Sequence, residues 1–321
     1  VNSTFANYET GYLTLKETTL ANLYSRLNTN EDSFVRSLTS IEFVRNDGSS
    51  YSDGYTKYDM SASLDKSIML YVKDNKAYIS SPFQMVAPTD MSNFFKFCVS
   101  TQSITGLDLI DTSNTDSFHS TFGICRELTT LSGYENWNTT KLKDIALMFE
   151  ECQKLTSVDF RNWDLTKNTN LKGTFNKCYL LEEVKGFIIS EHVTTVEYLF
   201  NSCNKITSLD TTNWSSKSIT NYNYMFNGTK LETIDLSMFD TTKAKYMNNM
   251  FSNCRYLKTI YVSDKWDLSE GTDFTEMFYG CTSLTNFNEN EIDNTNANTS
   301  DTGYLTLAPT VTVKDNSSLF G

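Results

Sequence analysis

The chain has 321 residues, of which 39% are apolar, and its formal net charge is −12 at pH 7. That apolar share is enough for a buried core, and three prolines and thirteen glycines are too few for a collagen-like chain. The acidic balance repels phosphate backbones and anionic lipid headgroups, and no apolar run approaches the roughly 20 residues that span a bilayer, so neither nucleic acid nor direct membrane insertion is expected.

Residues 1–90 form a region with mixed helix and strand signals. Leu20, Leu23, Tyr24 and Leu27 have the spacing of one face of a helix. Strands are predicted at residues 41–44, 68–72 and 77–79, with a hairpin turn at 73–76. A repeat protein exposes the apolar interior of its first copy unless something covers it. We therefore interpret residues 1–90 as an α+β capping domain.

A repeat begins at about residue 91 and is marked by cysteine. Cysteines recur every 25–27 residues, and the one gap of 51 divides at Gly228, which the spacing places where a cysteine is missing. A phenylalanine precedes each position by about three residues. The predicted core positions are Phe122, Cys125, Phe149, Cys152, Phe175, Cys178, Phe200, Cys203, Phe251, Cys254, Phe278 and Cys281, with Phe95, Cys98 and Phe226 in the same series.

Each copy continues into a short predicted strand. In the clearest copy, Ile234 and Leu236 are expected to point inward, and Thr233 and Asp235 outward. The Met-Phe-x-x-Cys stretch on the return side is interpreted as one short helical turn. The predicted fold is an α/β solenoid, a right-handed leucine-rich-repeat-like coil. It has a parallel sheet on one face, short helical turns on the other and about eight repeats over residues 91–290.

The repeat resembles that of the BspA-like leucine-rich-repeat surface proteins, of the bacterial type MFxxCxxLxxIDLSxFDTS. The match is carried by Met-Phe-Glu-Glu-Cys-Gln-Lys-Leu-Thr-Ser-Val-Asp-Phe at 148–160, by Leu-Glu-Thr-Ile-Asp-Leu-Ser-Met-Phe-Asp-Thr-Thr at 231–242, and by Met-Phe-Ser-Asn-Cys at 250–254. The resemblance implies a secreted or surface-anchored protein that adheres to host or neighbouring-cell components. It implies no catalytic residues.

Cysteine at this spacing could form disulfides, bind zinc or act as a nucleophile. Structural zinc sites use paired ligands, whereas these cysteines occur singly, one per copy. An odd total of seven favours free thiols buried as small apolar groups. The histidines, His119 and His192, fall about three copies apart, too far for a shared site. We expect no enzyme activity, no metal and no cofactor.

The outward strand position gives the candidate ligand surface. It reads Asp108, Ser132, Asp159, Lys185, Asp210, Asp235 and Tyr261 through successive copies. This series is either a solvated acidic face, with Lys185 compensating its neighbours and Asp210 and Asp235 able to share a cation, or a surface for a basic or hydroxyl-rich partner. The candidate ligand-binding residues are Asp159, Asp210, Thr233, Asp235 and Tyr261.

Aromatic residues divide into two groups. Trp137, Trp163, Trp214 and Trp266 share one repeat position with Phe187 and Phe239, which indicates that they face the core. Tyrosines outside that position, such as Tyr222, Tyr224 and Tyr256, are predicted to lie on the surface as contact residues, because tyrosine adds rigid amphipathic area to interfaces.

Residues 291–321 are predicted to be a polar linker followed by a C-terminal strand. The stretch 288–302 is rich in Asn, Thr and Glu, and residues 302–307 (Thr-Gly-Tyr-Leu-Thr-Leu) repeat residues 10–15 without a change. The identity is either an accident of a chain rich in Thr, Leu and Tyr, or both copies are strands at the ends of one subunit or of head-to-tail neighbours. Self-association is therefore one expectation.

Two classes of function remain. The first is an extracellular or cell-surface binding protein of the adhesin type that engages a protein or glycan on a host or neighbouring cell. The second is a structural component of an extracellular or virion assembly, motivated by the duplicated end sequence.

Overall fold

The structure is a computed structural model that describes residues 17–19, 32–51, 53–268, 272–293 and 296–309. The helix predicted around Leu20 and the first copy of the duplicated sequence, residues 10–15, lie outside these ranges.

The described part of the N-terminal region forms seven short elements, three of which lie where strands were predicted, at residues 41–44, 68–72 and 77–79. They are β1 (Glu17–Thr19), α1 (Asp32–Ser37), β2 (Ser40–Val44), β3 (Thr56–Asp59), β4 (Met69–Lys73), β5 (Lys76–Ser80) and β6 (Gln84–Val86). Asp74 and Asn75 both have positive φ, at 51° and 61°, so the β4–β5 hairpin closes through the two-residue turn that suits the right-handed twist of its strands.

This region continues the sheet of the repeats. The strand order is β3-β4-β5-β2, followed by the repeat strands β7 (Ser103–Thr105) and β9 (Thr130–Leu131), and β2 pairs in parallel with both β5 and β7. Its inward residues Ile41 and Phe43 join the same apolar core as the repeats. The outer strand β3 has its first two residues exposed and carries Lys57, features that discourage further pairing at this edge.

The repeats contribute strands of two to four residues. These are β7 (Ser103–Thr105), β8 (Ile110–Asp111), β9 (Thr130–Leu131), β10 (Ser157–Asp159), β11 (Glu183–Lys185), β12 (Thr233–Asp235) and β13 (Thr259–Val262), and β14 (Thr306–Leu307) follows them in the C-terminal segment. Repeat strands pair in parallel with the equivalent residues of the neighbouring copy, as in Ser157 with Glu183 and Thr233 with Thr259. Equivalent side chains therefore lie side by side, about 4.8 Å apart.

The return side of each copy consists of two successive β-turns, called here a double turn, so the predicted short helical turn is wrong. A further turn hydrogen bond links the two, from the Lys96 amide to the Asn93 carbonyl at 3.2 Å in the first copy. In the first copy, the amide of Phe94 donates to the carbonyl of Met91 and the amide of Cys98 donates to that of Phe95, both at 3.2 Å. The third residue of each turn, Asn93 or Phe97, has a left-handed φ of 59° or 65°. These are the features of turns with positive φ at their third position.

Bonds between copies explain why no helix forms here. The amides of Asn93, Phe95 and Phe97 donate to His119, Thr121 and Gly123 of the next copy at 2.8–3.0 Å. A helix would direct every amide back along its own segment. In the double turn, alternate amides bond to the neighbouring copy instead, so stacking and local folding satisfy the backbone together.

Beneath the double turns, the predicted phenylalanines form one continuous column. Successive ring centroids are 5.2–6.3 Å apart and their planes agree within 13°. Every ring is fully buried: Phe95, Phe122, Phe149, Phe175, Phe200, Phe226, Phe251 and Phe278. Offset or parallel ring contacts of this kind add to the free energy of burying each ring.

The C-terminal segment covers the end of this column. The buried ring of Tyr304 lies 5.2 Å from that of Phe278 and 6.2 Å from that of Phe287. The amide of Phe278 donates to Ile292 at 2.7 Å, and the amide of Asn288 donates to the Tyr304 hydroxyl at 2.9 Å. Because an open apolar column must be shielded from water, this polar segment folds into turns around one tyrosine.

Candidate functional site

The cysteines lie beside the phenylalanine column as free, buried thiols. From Cys125 onward, each Sγ donates to the carbonyl of the phenylalanine in the preceding copy at 3.0–3.2 Å. Burial raises the pKa of the Cys125 and Cys203 thiols and brings that of Cys254 to about 11. A thiol that stays protonated at neutral pH is a poor nucleophile and metal ligand, so these groups act in packing.

Thr229, and not Gly228, occupies the position of the missing cysteine. The Thr229 amide donates to Phe226 at 3.1 Å, as each cysteine amide does to its own phenylalanine, and its hydroxyl lies 3.4 Å from the Cys254 sulfur. Gly228 has a φ of 72° and takes the left-handed position before it. The cysteine spacing indicated Gly228 because this copy has one residue fewer after the turn than the other copies have.

The strand wall, the outward side of β7 and β9–β13, holds the candidate ligand residues. Asp159 lies opposite Lys185, and Asp235 lies opposite Tyr261 in parallel register. Thr233 and Asp235 are exposed while Ile234 between them is 3% exposed, as the alternating pattern predicts. Thr233, Asp235 and Tyr261 therefore share one surface, and Asp159 lies several copies away.

The aspartates of this wall bind their own backbone. The Oδ1 atoms of Asp159, Asp210 and Asp235 accept hydrogen bonds at 2.9–3.1 Å from the amide two residues later. This contact closes the turn that follows each strand position. It gives the repeated aspartate a structural role that is independent of any ligand.

Charge on the strand wall is paired locally. The Arg161 guanidinium lies 2.6 Å from Asp159 and lowers the pKa of that carboxyl group. Lys185 pairs with Glu183 at 3.0 Å, within its own strand, so its expected compensation of the neighbouring aspartates is secondary. For Asp210, hydrogen bonds from Thr212 lower the carboxyl pKa.

The strand wall is not continuous. Strands β10 and β11 form one sheet and β12, β13 and β14 another, with Asp210 in the described segment between them. The first copy also differs from expectation, because Ile104 pairs with Leu131. Thr105 therefore stands opposite Ser132, and Asp108 lies in the 3-10 turn Leu107–Leu109, outside the series.

The turn wall is the second outward surface. It consists of the corner residues of the double turns, which lie six, five, two and one positions before each cysteine position. Glu151 is one of them, and its carboxylate lies 2.9 Å from Arg126 and 3.0 Å from Lys177 of the flanking copies. Partial burial of Glu151 opposes its ionisation, but hydrogen bonds from Lys177 and Arg126 outweigh it and lower the carboxyl pKa.

The predicted surface tyrosines occupy three environments. Tyr222 is fully buried, so its assignment to the surface is wrong; it fills an inward position that other copies fill with Phe118 or Met247. Tyr224 is half-buried on the turn wall. Tyr256 is 52% exposed, with the Lys230 ammonium 5.6 Å from its ring centroid.

A tyrosine cluster on the N-terminal sheet was missed by the sequence reasoning. The Tyr51 ring stacks on Tyr71 at 4.8 Å and on Tyr78 at 5.1 Å. Tyr71 and Tyr78 are cross-strand neighbours on the outer face of β4 and β5. Gly48, at φ 79°, lies so close to the Tyr71 hydroxyl that a β-carbon could not fit. The alternation of Tyr71 and Tyr78 with Leu70, Val72 and Ile79 along the strands could have predicted that the two tyrosines share the outer face.

The described residues contain no group of three or more His, Cys, Asp or Glu side chains placed to hold a metal ion. His119 lies 3.5 Å from Asp144 at the surface, and His192 is exposed on another copy. Within the same described ranges, no helix has the length and apolar content needed to cross a membrane.

Comparison with known families gives a match over most of the repeats. The family model described as "Mycoplasma protein of unknown function, DUF285" matches residues 89–208 and 194–305, more than half of the chain. The chain belongs to the DUF285 family. The matched region begins near the predicted start of the repeats and includes the segment that covers the last phenylalanine. None of the curated proteins matches.

Two solved structures resemble the DUF285 chain at low similarity. One is a leucine-rich-repeat protein of T. pallidum, with a TM-score of 0.31 and 15% identity, covering 69% of this chain and 89% of its own. The other is a leucine-rich cell surface protein from Faecalibacterium prausnitzii A2-165, with a TM-score of 0.26 and 15% identity, covering 73% and 94%. The family assignment rests on the sequence match.

Proposed function

We propose that this protein is an extracellular or cell-surface binding protein of the adhesin type. Its copies continue as one right-handed, leucine-rich-repeat-like solenoid of about eight repeats, of the BspA-like kind. A protein or glycan partner binds on the strand wall, and no catalytic step is involved.

The parallel register carries this proposal. Register places Asp235 beside Tyr261, and Tyr261 beside Thr306, so a row of carboxylate, aromatic and hydroxyl groups crosses two copies and the C-terminal strand. A partner that contacts equivalent positions in successive copies gains many similar interactions on a preformed surface. Tyrosine supplies contact area to such an interface, and the flanking polar groups fix orientation.

A binding screen tests the proposal. The purified full chain is measured by biolayer interferometry against immobilised matrix proteins, mucins and glycans, and each bound partner is measured again with Thr233→Arg and Tyr261→Ala. No hydrogen bond of either side chain contributes to the fold described above, so both variants should remain folded. We expect at least a tenfold loss of affinity. Tyr279→Ala, which removes a ring of similar exposure (50%) from the turn wall, should leave the affinity unchanged.

In the same screen, Asp235→Asn tests whether the negative charge of Asp235 contributes to binding without disturbing the turn that follows it. The carboxamide still accepts the Ser237 amide, so a loss of binding reports the missing charge. If every partner binds Thr233→Arg and Tyr261→Ala as well as the parent, the strand wall is not the binding surface.

A structural role in an extracellular or virion assembly is the second candidate. The observation that favours it is that β14, which comes from the duplicated sequence, pairs in parallel with β13 through only two residues. A second subunit could extend this sheet by the same sequence. Sedimentation at increasing concentration should then show chains of subunits, and a monomer at every concentration would exclude this role.

A further inference from the structure

The turn wall changes its chemistry along the chain. In the early copies it carries charged side chains such as Lys96, Glu150 and Glu151. Between residues 197 and 253 it is formed by Glu197, Tyr198, Asn201, Ser202, Asn223, Tyr224, Asn227, Gly228, Asn248, Asn249, Ser252 and Asn253, of which Asn249 and Ser252 are buried. The charge of Glu197 is paired with Lys172 at 2.9 Å. These twelve residues, called here the carboxamide patch, are therefore close to neutral on a protein of net charge −12.

Hydrogen bonds between copies hold the amides of the patch in fixed orientations. The Asn201 side chain donates to Asn176 at 2.7 Å, and Asn176 donates to Glu150 at 3.0 Å. The Asn223 side chain accepts from the Asn248 amide at 2.8 Å, and the Asn248 side chain donates to Asp273 at 2.8 Å. Polar groups oriented before binding lose less conformational freedom when a ligand arrives.

Two stacked tyrosines lie at the centre of the patch. The rings of Tyr198 and Tyr224 are 4.9 Å apart with an angle of 16° between their planes, and both side chains are half-buried. Their φ values are 59° and 58°, in the left-handed region that large side chains disfavour and asparagine tolerates. Asn249 occupies the next position of the same row at φ 55°, so the backbone alone does not require tyrosine there.

We infer that the carboxamide patch binds a neutral, extended glycan. Each carboxamide offers both donors and an acceptor, which suits ligand hydroxyl groups, and the paired tyrosines add apolar contact and two further hydroxyls. Copies repeat about 4.8 Å apart, so a linear polymer can meet equivalent groups in successive copies. A charged polymer would find no row of opposite charge here. This inference rests on the proposed cell-surface binding role and adds to it a second binding surface, for glycans, on the turn wall.

Titration of the full chain with soluble neutral polysaccharides tests the inference. Laminarin, galactomannan and chito-oligosaccharides are measured by isothermal titration calorimetry, with heparin as the acidic comparison. The decisive variant is Tyr198→Asn with Tyr224→Asn, because asparagine suits the left-handed φ and removes both rings. We expect at least a tenfold loss of affinity for a neutral glycan at an unchanged Tm. The matched control, Tyr179→Asn with Tyr256→Asn, removes two exposed tyrosines outside the patch and should change affinity less than twofold.

A second variant keeps the test decisive if the double variant is less stable. Asn227→Asp has nearly the same shape and adds one negative charge, so neutral-glycan binding should weaken while heparin stays unbound. The inference is overturned if none of the neutral polysaccharides binds, if heparin binds more tightly, or if both patch variants retain full affinity. A matrix protein captured through Thr233 and Tyr261, with no glycan bound, would overturn this inference and leave the proposed function standing.

Discussion

The turn wall and the strand wall are built from the same repeat but differ in continuity. Where each copy enters the turn wall, eight residues before the cysteine position, parallel bridges link equivalent residues copy after copy, from Asp90–Ser117 to Tyr246–Asp273. On the strand wall, pairing stops between β9 and β10 and again between β11 and β12. The wall that contains no assigned strands is the more regular of the two.

Backbone hydrogen bonds and buried rings account for this difference. In each double turn, the amides either close a turn or reach the next copy, and a phenylalanine is stacked directly beneath. The strand wall has at most four paired residues per copy, and its aspartates bind the following turn instead of a neighbour. The turn wall and the phenylalanine column beneath it thus join successive copies more continuously than the strand wall does.

Removing one ring from the column should have the largest effect. Phe251 is fully buried, with rings at 5.5 Å and 5.9 Å on its two sides. Phe251→Ala should reduce the free energy of unfolding by about 3–5 kcal/mol, because it removes buried apolar area and leaves a cavity. Urea denaturation measures this, with Tyr256→Ala as an exposed aromatic control. A loss below about 1 kcal/mol would mean that the phenylalanine column is not a main source of the protein's stability.

Removing the central charge of the turn-wall ion pairs should have a smaller effect. Glu151→Gln loses the contacts with Arg126 and Lys177 and should cost up to about 1 kcal/mol at neutral pH. The pKa of Glu151 is lower in the folded chain than in the unfolded chain. Its contribution is therefore present above the unfolded pKa of about 4.3 and is lost as pH falls through the folded pKa.

A pH series of denaturation curves checks the sign of this effect. The difference in stability between the parent and Glu151→Gln should shrink as the pH is lowered from 7 to 3. A difference that stays constant or grows on acidification would contradict the assignment. Glu127→Gln, at an exposed neighbouring position, serves as the control.

The smallest effect is expected on the strand wall. Asp235→Asn should change the free energy of unfolding by less than about 0.5 kcal/mol, because the carboxamide still accepts the Ser237 amide. Asp235→Ala loses that acceptor and should cost about 1 kcal/mol. Equal costs for the two variants, measured by urea denaturation, would show that the charge and not the turn contact matters.

Periodicity in the sequence was sufficient to place the phenylalanine and cysteine positions in the core, because one side chain of each copy must meet its equivalent in the next. The strands predicted at 41–44, 68–72 and 77–79 lie at β2, β4 and β5, because strand patterning depends on the local geometry of an extended chain. The position of Thr229 was not, since a one-residue deletion can be placed before or after the turn and only its contact with Cys254 decides between them.

The sequence by itself determined that one Phe and one Cys per copy are buried and that Thr233 and Asp235 face outward, because side-chain period depends on local chain geometry. Only the tertiary structure decided that the return side forms double turns, that Tyr222 is buried and that Tyr304 covers the last ring. Each of these depends on a hydrogen bond or a ring contact with another copy or with the C-terminal segment. The spacing of residues within one copy contains no information about these partners.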